Sequence, residues 1–344
     1  MKLLGISEIA TLLNVSRQVI SNWKSRKEGF PQPISTLASG PVWLAEDIES
    51  WAETEGITIS EKVVGSIENK GSSRYASIVA MMNMKGGVGK STLTQNIGWY
   101  AAYKKGMRIL FVDLDPQFNL SQYVLGANGY EKLIDAKSPT VEVIFEKNSN
   151  CIDIGKLIQK VHEWDDDSCI HIIPANLELA FSMRNIQGHE HMLRDKLETL
   201  RTEYDLIIMD CAPTESSMST ASYFAADSIF IPVKPEFLST IGLPLLARSM
   251  SEFAIVHPTE KVPTVGGIIF NDIGDKLEHN RSVRTVKKVA TANQWPIFNS
   301  QISHSDSYPA GSRAGKPIFL TDHARNSKIS EFEQVGDEFL KRLT

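Results

Sequence analysis

The chain has 344 residues, enough at about 150 per domain for two domains and a sizeable core. Its 36 Lys/Arg against 41 Asp/Glu give a net charge of −5, which excludes a uniformly basic nucleic-acid coat but not a local basic face. Three cysteines (Cys151, Cys169, Cys211) without C-x-x-C spacing argue against a disulfide scaffold or zinc ribbon and fit a reducing cytosol, and no apolar run approaches the about 18 residues of a membrane span.

Residues 1–55 read as a DNA-binding unit. Ser7 can cap a helix running to Leu13, Asn14-Val15 makes a short turn, and Ser16 caps a second helix over RQVISNWKSR. Val19, Ile20 and Trp23 share one face of that helix, leaving Arg17, Gln18, Ser21, Asn22 and Lys24 on the other. This predicts a helix-turn-helix whose second helix offers base-reading side chains to a major groove. Residues 1–30 carry +3 and residues 31–55 carry −5, so basic charge is concentrated around that helix. A helical protein-docking domain is the competing reading. Phe30 to Pro33, Trp43, and Asp47-Ile48 with Trp51 resemble the winged helix-turn-helix of MerR/excisionase-like regulators, which implies a wing strand and a closing helix. Residues 56–75 are polar and carry Gly56, Gly65 and Gly71, the composition of a linker, with Val63-Val64 able to begin a short ordered piece.

From residue 76 to 344, apolar runs alternate with amphipathic stretches. SIVAMMNM (77–84), RILFVDLD (108–115), IHIIPA (170–175), DLIIMD (205–210), SIFIPV (228–233) and VGGIIFND (265–272) read as buried strands. STLTQNIGWYAAYKK, EHMLRDKLETLRTEY and TIGLPLLARSMSEFAIV read as helices between them. The predicted class is α/β, a mostly parallel sheet covered on both faces, with the small N-terminal domain attached.

The first of these strands leads into Lys85-Gly86-Gly87-Val88-Gly89-Lys90-Ser91-Thr92, and a helix follows. Strand, glycine loop, Lys-Ser and helix is the context of a P-loop. Glycines let backbone N–H groups close around phosphate oxygens, and the helix N-terminus adds partial positive charge. Lys90 can reach the β and γ phosphates, and the Ser91 hydroxyl can ligate Mg²⁺. The usual leading glycine is Met84 here, and a second lysine, Lys85, opens the loop. In this the sequence resembles the deviant Walker A group, the ParA/Soj/MinD family of ATPases, over residues 76–344. The resemblance implies that Lys85 reaches across a homodimer to the partner's nucleotide.

A P-loop needs carboxylates opposite it. Asp113 and Asp115 lie two apart at the carboxyl end of a strand, on one face and where α/β sheets bind ligands. The string resembles the family's D-x-D-P-Q-G-N stretch, with Phe118 where glycine is usual. That implies that Asp115 positions the attacking water and Asp113 supports the metal's outer shell. Asp210 ends an apolar strand in a Walker B pattern. Asp210-Cys211-Ala212-Pro213 resembles the family's D-C-P-P switch, which implies that Asp210 contacts Mg²⁺ and that TESSMSTAS (214–222) is a γ-phosphate-sensitive loop. Cys211 reads as a small buried residue rather than a nucleophile. By the same resemblance Asn271 reads the adenine edge and a loop over 309–318 closes on the base. No N-K-x-D string follows a strand, which favours ATP over GTP.

Lys276, Arg281, Arg284, Lys287 and Lys288 give residues 275–288 a net +3. In the ParA family basic residues on this side bind DNA without sequence preference; an ordinary charged helix face competes with that reading. The family's later arginine is Ser307 here. The C-terminal helix has Ile329, Phe332, Val335, Phe339 and Leu343 at helical spacing and an acidic polar side, the pattern of a core-packing helix and not of a membrane-surface one. Together these features imply a cytoplasmic, nucleoid-associated partition ATPase with ATP and Mg²⁺ as cofactors and a ParB-like stimulating partner, repressing its own operator through the N-terminal domain. An ATPase that positions a protein cargo and a non-hydrolysing ATP-responsive regulator are the alternatives.

Overall fold

A computed structural model describes residues 3–13, 15, 17–27, 29–37, 40–57, 75–146, 153–182, 186, 188–236, 239–274, 277–322 and 324–343. Ser16 and Lys276, the side chains of Arg17 and Gln18, and the stretch 58–74 lie outside them.

The N-terminal elements are β1 (Leu3–Leu4), α1 (Ile6–Leu12), α2 (Arg17–Arg26), β2 (Ser35–Leu37), β3 (Gly40–Leu44) and α3 (Ala45–Thr54). β3 is the central strand, antiparallel to β1 and β2. Helix α1 starts one residue before Ser7, so Ser7 lies within its first turn and not at the cap. These elements have a core of their own, in which Ile9, Ile20, Trp43 and Ile48 are fully buried. Aromatic edges lock it: Phe30 packs against Trp43 and Trp51, and Trp23 against Trp51, with centroids 4.9–6.0 Å apart. The Trp43 indole N–H donates to the Pro31 carbonyl at 2.7 Å, which satisfies the only polar atom of a buried ring.

The remaining elements run β4 (Ser77–Met81), α4 (Lys90–Lys105), β5 (Arg108–Leu114), α5 (Asn119–Asp135), β6 (Gln159–Glu163), β7 (Cys169–Ile173), α6 (Glu178–Ser182), α7 (His191–Glu198), β8 (Leu206–Cys211), α8 (Ser217–Ala225), β9 (Ser228–Val233), α9 (Ser239–Val256), β10 (Thr264–Phe270), α10 (Leu277–Ala292), α11 (Ser307–Arg313) and α12 (Asn326–Lys341). The seven strands stand in the order β10-β9-β4-β8-β5-β7-β6, all parallel except β6, which is antiparallel to β7. Successive strand residues feed opposite cores, as the pleat requires. Ile78, Ala80, Leu110 and Val112 face one side; Val79, Met81, Ile109 and Phe111 face the other. Phe332, Val335 and Phe339 of α12 join the second core fully buried, as their spacing predicts. Among the described residues no helix is long and apolar enough to cross a membrane.

Strand β6 was not predicted, and α7 is shorter than the amphipathic stretch 190–204. Turns Leu200 N–H to Leu197 O and Arg201 N–H to Glu198 O tighten the chain after Glu198 and deliver Arg201 to the core edge. There Arg201, 8% exposed, pairs with Asp227 at 2.7 Å and donates to the Ala76 carbonyl at 2.6 Å.

Candidate functional site

The chain moves from β4 outward to β5 and β7, returns to β8 between β4 and β5, then continues on the other side through β9 and β10. The carboxyl ends of β4, β8 and β5 therefore converge on one crevice, where doubly wound sheets place ligands. Each end carries one predicted element: the glycine loop after β4, Asp210 in β8, and Asp113 with Asp115 at the end of β5. The register sets Asp113 directly beside Asp210.

The loop turns through Gly87 at φ 74° and Gly89 at φ 91°, left-handed values that a Cβ would strain, before α4 begins at Lys90. Gly89 is tight as well, since a Cβ there would lie 2.2 Å from the Asn271 amide. Gly86 and Gly87 are exposed, and a Cβ at either would meet open space. Val88 is buried beneath them, and Ser91 and Thr92 are half-buried in the first turn of α4. Sequence reasoning missed Asn83. Fully buried, it donates to the Pro232 carbonyl at 2.8 Å and accepts from the Lys85 N–H at 3.1 Å, fixing the loop's start to β9. Asn271 braces the other end, donating to the Val88 carbonyl at 2.9 Å.

Lys90 is 6% exposed and its ammonium donates to the Lys85 carbonyl at 3.2 Å. Burial lowers its pKa, and the facing carboxylates Asp210 and Asp115 oppose that fall. Lys85 is half-buried with Nζ 3.7 Å from the Glu236 carboxylate. Glu236 also pairs with Lys234, and Lys234 with Asp272, each at 2.8 Å.

Asp210 is fully buried; among the described residues neither carboxylate oxygen makes a hydrogen bond of ordinary geometry, although the Ser91 hydroxyl lies near enough to favour its charged form. Burial and the adjacent Asp113 raise its pKa well above the usual range, while the nearby Ser91 hydroxyl and Lys90 act the other way. Buried oxygens without good partners are costly, and beside a P-loop they could take a cation.

Both oxygens of Asp113 are held by the chain itself. One oxygen accepts from the Ser121 N–H at 2.8 Å and hydroxyl at 2.7 Å, the other from the Asp115 N–H at 3.1 Å. Its oxygens thus cap the first turn of α5 and brace the turn that carries Asp115. Burial pushes its pKa up to about 7 against those hydrogen bonds. The Ser121 hydroxyl in turn accepts from the Ala175 N–H at 2.9 Å, a link the sequence did not announce. Asp115, 6% exposed, accepts from the Gln117 N–H at 2.9 Å.

Two expected loops are partly helical. The Ser216 N–H donates to the Ser219 hydroxyl at 2.8 Å where α8 starts at Ser217, so only the first residues of 214–222 are irregular. The stretch 309–318 is helical through Arg313 in α11. It is tied to α4 through Ser312 and Gln95 (3.3 Å) and through the Ile318 N–H and Asn96 (2.7 Å). Cys211 is buried, its thiol pushed up to about 12 by burial, which agrees with a packing role.

On α2, Asn22 and Lys24 are exposed and Ser21 is half-buried, while Ile20 is fully buried. Arg17 and Gln18 occupy that helix's first turn. On α10, Arg281, Arg284, Lys287 and Lys288 are all exposed. Their helical spacing places them on one face.

A family model described as an AAA domain matches residues 76–258. The chain belongs to this family. At the family level it is a ParA-type P-loop ATPase. It is 26% identical over 269 residues to the chromosome-partitioning ATPase Soj of Treponema pallidum, covering 77% of this chain and 97% of that protein. Its fold is similar to that of apo McdA from Cyanothece, with TM-score 0.66 and 19% identity over 78% of this chain and all (100%) of that one. It is also similar to a putative plasmid partition protein of Borrelia burgdorferi bound to AMPPNP, with TM-score 0.61 and 22% identity over 78% of this chain and 99% of that one.

Proposed function

We propose that the chain is an ATP- and Mg²⁺-dependent DNA-partition ATPase that works as a homodimer. The observation that carries this reading is Asp210: a buried carboxylate without a hydrogen bond of ordinary geometry among the described residues, facing Lys90 beside the glycine loop. Ser91 and Asp210 suit Mg²⁺, which takes a hydroxyl and a carboxylate alongside nucleotide oxygens and water. The bound ion would neutralise charge on the β and γ phosphates.

The chain's own residues do the rest. Backbone N–H groups of Gly86, Gly87, Val88 and Gly89 cradle the phosphates, Thr92 closes the cradle, and Lys90 holds the transferring group. Asp115 orients the attacking water. Lys85 leaves its contact with Glu236 to reach the partner's nucleotide, which makes dimerisation ATP-dependent. Asn271, with one N–H and its carbonyl oxygen to spare, reads the adenine edge.

Residues 1–55 serve as a winged helix-turn-helix that binds a specific DNA site, including its own operator, through Arg17, Gln18, Ser21, Asn22 and Lys24. Residues 56–75 link it to the ATPase domain, 76–344. Lys276, Arg281, Arg284, Lys287 and Lys288 bind bulk DNA through phosphates in the ATP-bound dimer, and hydrolysis stimulated by a ParB-like partner releases it. The protein then resides in the cytoplasm on the nucleoid.

The test is a pair of variants. Lys90→Ala abolishes nucleotide binding, whereas Asp115→Ala retains ATP-dependent dimers and loses turnover. An Asp115→Ala protein that hydrolyses ATP at the parental rate overturns the role given to Asp115. Failure of the parent to hydrolyse ATP at all would leave an ATP-responsive regulator, and the lack of any discrete DNA footprint would leave a cargo-positioning ATPase.

A further inference from the structure

We infer that an aromatic stack between Phe118 and Tyr130 positions Asp115 for hydrolysis. This rests on the reading of Asp115 as the water-orienting residue. Phe118 precedes α5 with φ 44° and ψ 31°, a left-handed conformation in which its Cβ crowds the following carbonyl. Phenylalanine lacks the short polar side chain that lets asparagine or aspartate tolerate this region, so the conformation persists only where its surroundings impose it. The Phe118 N–H donates to the Asp115 carbonyl at 2.8 Å, so relaxation of Phe118 moves the Asp115 turn directly.

The surroundings that impose it are specific. The Phe118 ring lies nearly parallel to that of Tyr130, with centroids 5.2 Å apart and planes 10° apart. In an unbroken helix, residues this far apart would stand about 18 Å from each other along the axis. They meet because Gly126, at φ 70° and ψ 165°, breaks α5 and folds its second half back. Tyr130 is itself anchored, its hydroxyl donating to the Ala175 carbonyl at 3.2 Å. The N–H of the same Ala175 donates to Ser121, Ser121 donates to Asp113, and Asp113 accepts from the Asp115 N–H. The contacts close a ring from Asp115 through Phe118, Tyr130, Ala175, Ser121 and Asp113 back to Asp115. Phe118 and Tyr130 are positioning residues within it.

The test uses the full chain with saturating Mg²⁺. Steady-state ATP hydrolysis and binding of a fluorescent ATP analogue are measured on Tyr130→Leu, Phe118→Gly, Tyr130→Phe and the Phe118→Gly/Tyr130→Leu double variant. Tyr130→Leu lowers kcat about fivefold at unchanged KM and nucleotide Kd, the scale of a lost aromatic pair. Phe118→Gly in that background recovers most of the loss, because glycine holds the left-handed turn without a stack. Tyr130→Phe, which keeps the ring, loses far less than Tyr130→Leu. Should Tyr130→Leu fail to fold, Phe118→Leu carries the same expected loss of kcat at unchanged Kd. A kcat within twofold of the parent in the Leu variant, or additive losses in the double variant, overturns the inference. Asp115→Ala in the same series separates the two claims. If it turns over normally, the reading of Asp115 fails; if it alone loses turnover, only the stack does.

Discussion

Ser121→Ala removes one hydroxyl and disturbs two buried groups. The Asp113 carboxylate loses a 2.7 Å donor, and the Ala175 N–H loses its 2.9 Å acceptor. A hydrogen bond to a charged group contributes about 2 kcal/mol, and an orphaned buried N–H costs about 1–2 kcal/mol more. At pH 8, above the Asp113 pKa of about 7, the expected loss of unfolding free energy is therefore about 3–4 kcal/mol. The pH dependence carries the sharper content. Burial raises this carboxyl in the folded state, so its ionisation works against folding as pH rises from the unfolded value through about 7. The Ser121 hydroxyl favours the charged form, and without it the folded pKa rises further. Below pH 6 the carboxyl is protonated in the folded protein and only the weaker neutral bonds are lost, about 2 kcal/mol. Urea unfolding of the nucleotide-free protein at pH 5.5 and pH 8, with unchanged m, measures both values. An equal loss at the two pH values, or a smaller one at pH 8, refutes the account of Asp113.

Three further outcomes follow from the same geometry. Asp210→Asn removes a buried carboxylate whose desolvation outweighs the help it gets from Lys90, so the nucleotide-free protein gains about 1–3 kcal/mol at pH 8 by urea unfolding while Mg²⁺-dependent turnover disappears; since the folded pKa is raised, the gain shrinks toward acid pH. Arg201→Ala leaves the Ala76 carbonyl unpaired and takes the guanidinium from a partly exposed Asp227, which keeps the Ile78 N–H, and costs about 1–2 kcal/mol in the same assay. Arg281→Ala and Arg284→Ala each weaken binding of random-sequence duplex DNA in the presence of ATP and lower the slope of log K against log salt by about one, with no change in the footprint on a specific site; an unchanged slope assigns α10 to plain solvation.

The glycine loop, the strand it follows and the carboxylates opposite it were legible because each is a local string in a fixed relation to a strand end. What escaped were contacts that no local pattern encodes. Asp113 and Asp115 share a face by pleat period, yet Asp113 also takes two donors from Ser121 in the first turn of α5 and a third from the Asp115 N–H, contacts that the spacing alone does not announce. Asn83 looked like the tail of a strand until β9 supplied a carbonyl for it. The Phe118–Tyr130 pair depends on a break at Gly126 that helical periodicity reads straight through. Strand β6 is an edge strand of sequence QKVHE, with only a half-buried face and Val161 as its one apolar residue.

The clamp at Arg201 also has a mechanical meaning. The polypeptide enters the sheet at Tyr75-Ala76, and Ala76 is held on both sides, its N–H by the Arg201 carbonyl and its own carbonyl by the Arg201 guanidinium. Strand β4, a rod about 16 Å long, separates that point from the glycine loop. Tension arriving along the chain before Tyr75 is thus borne by the Arg201–Asp227 anchor at the amino end of the sheet. On the DNA-binding role proposed for residues 1–55, a pull from that domain would reach this anchor before the nucleotide cradle, as a strain relief protects the plug at the end of a cable.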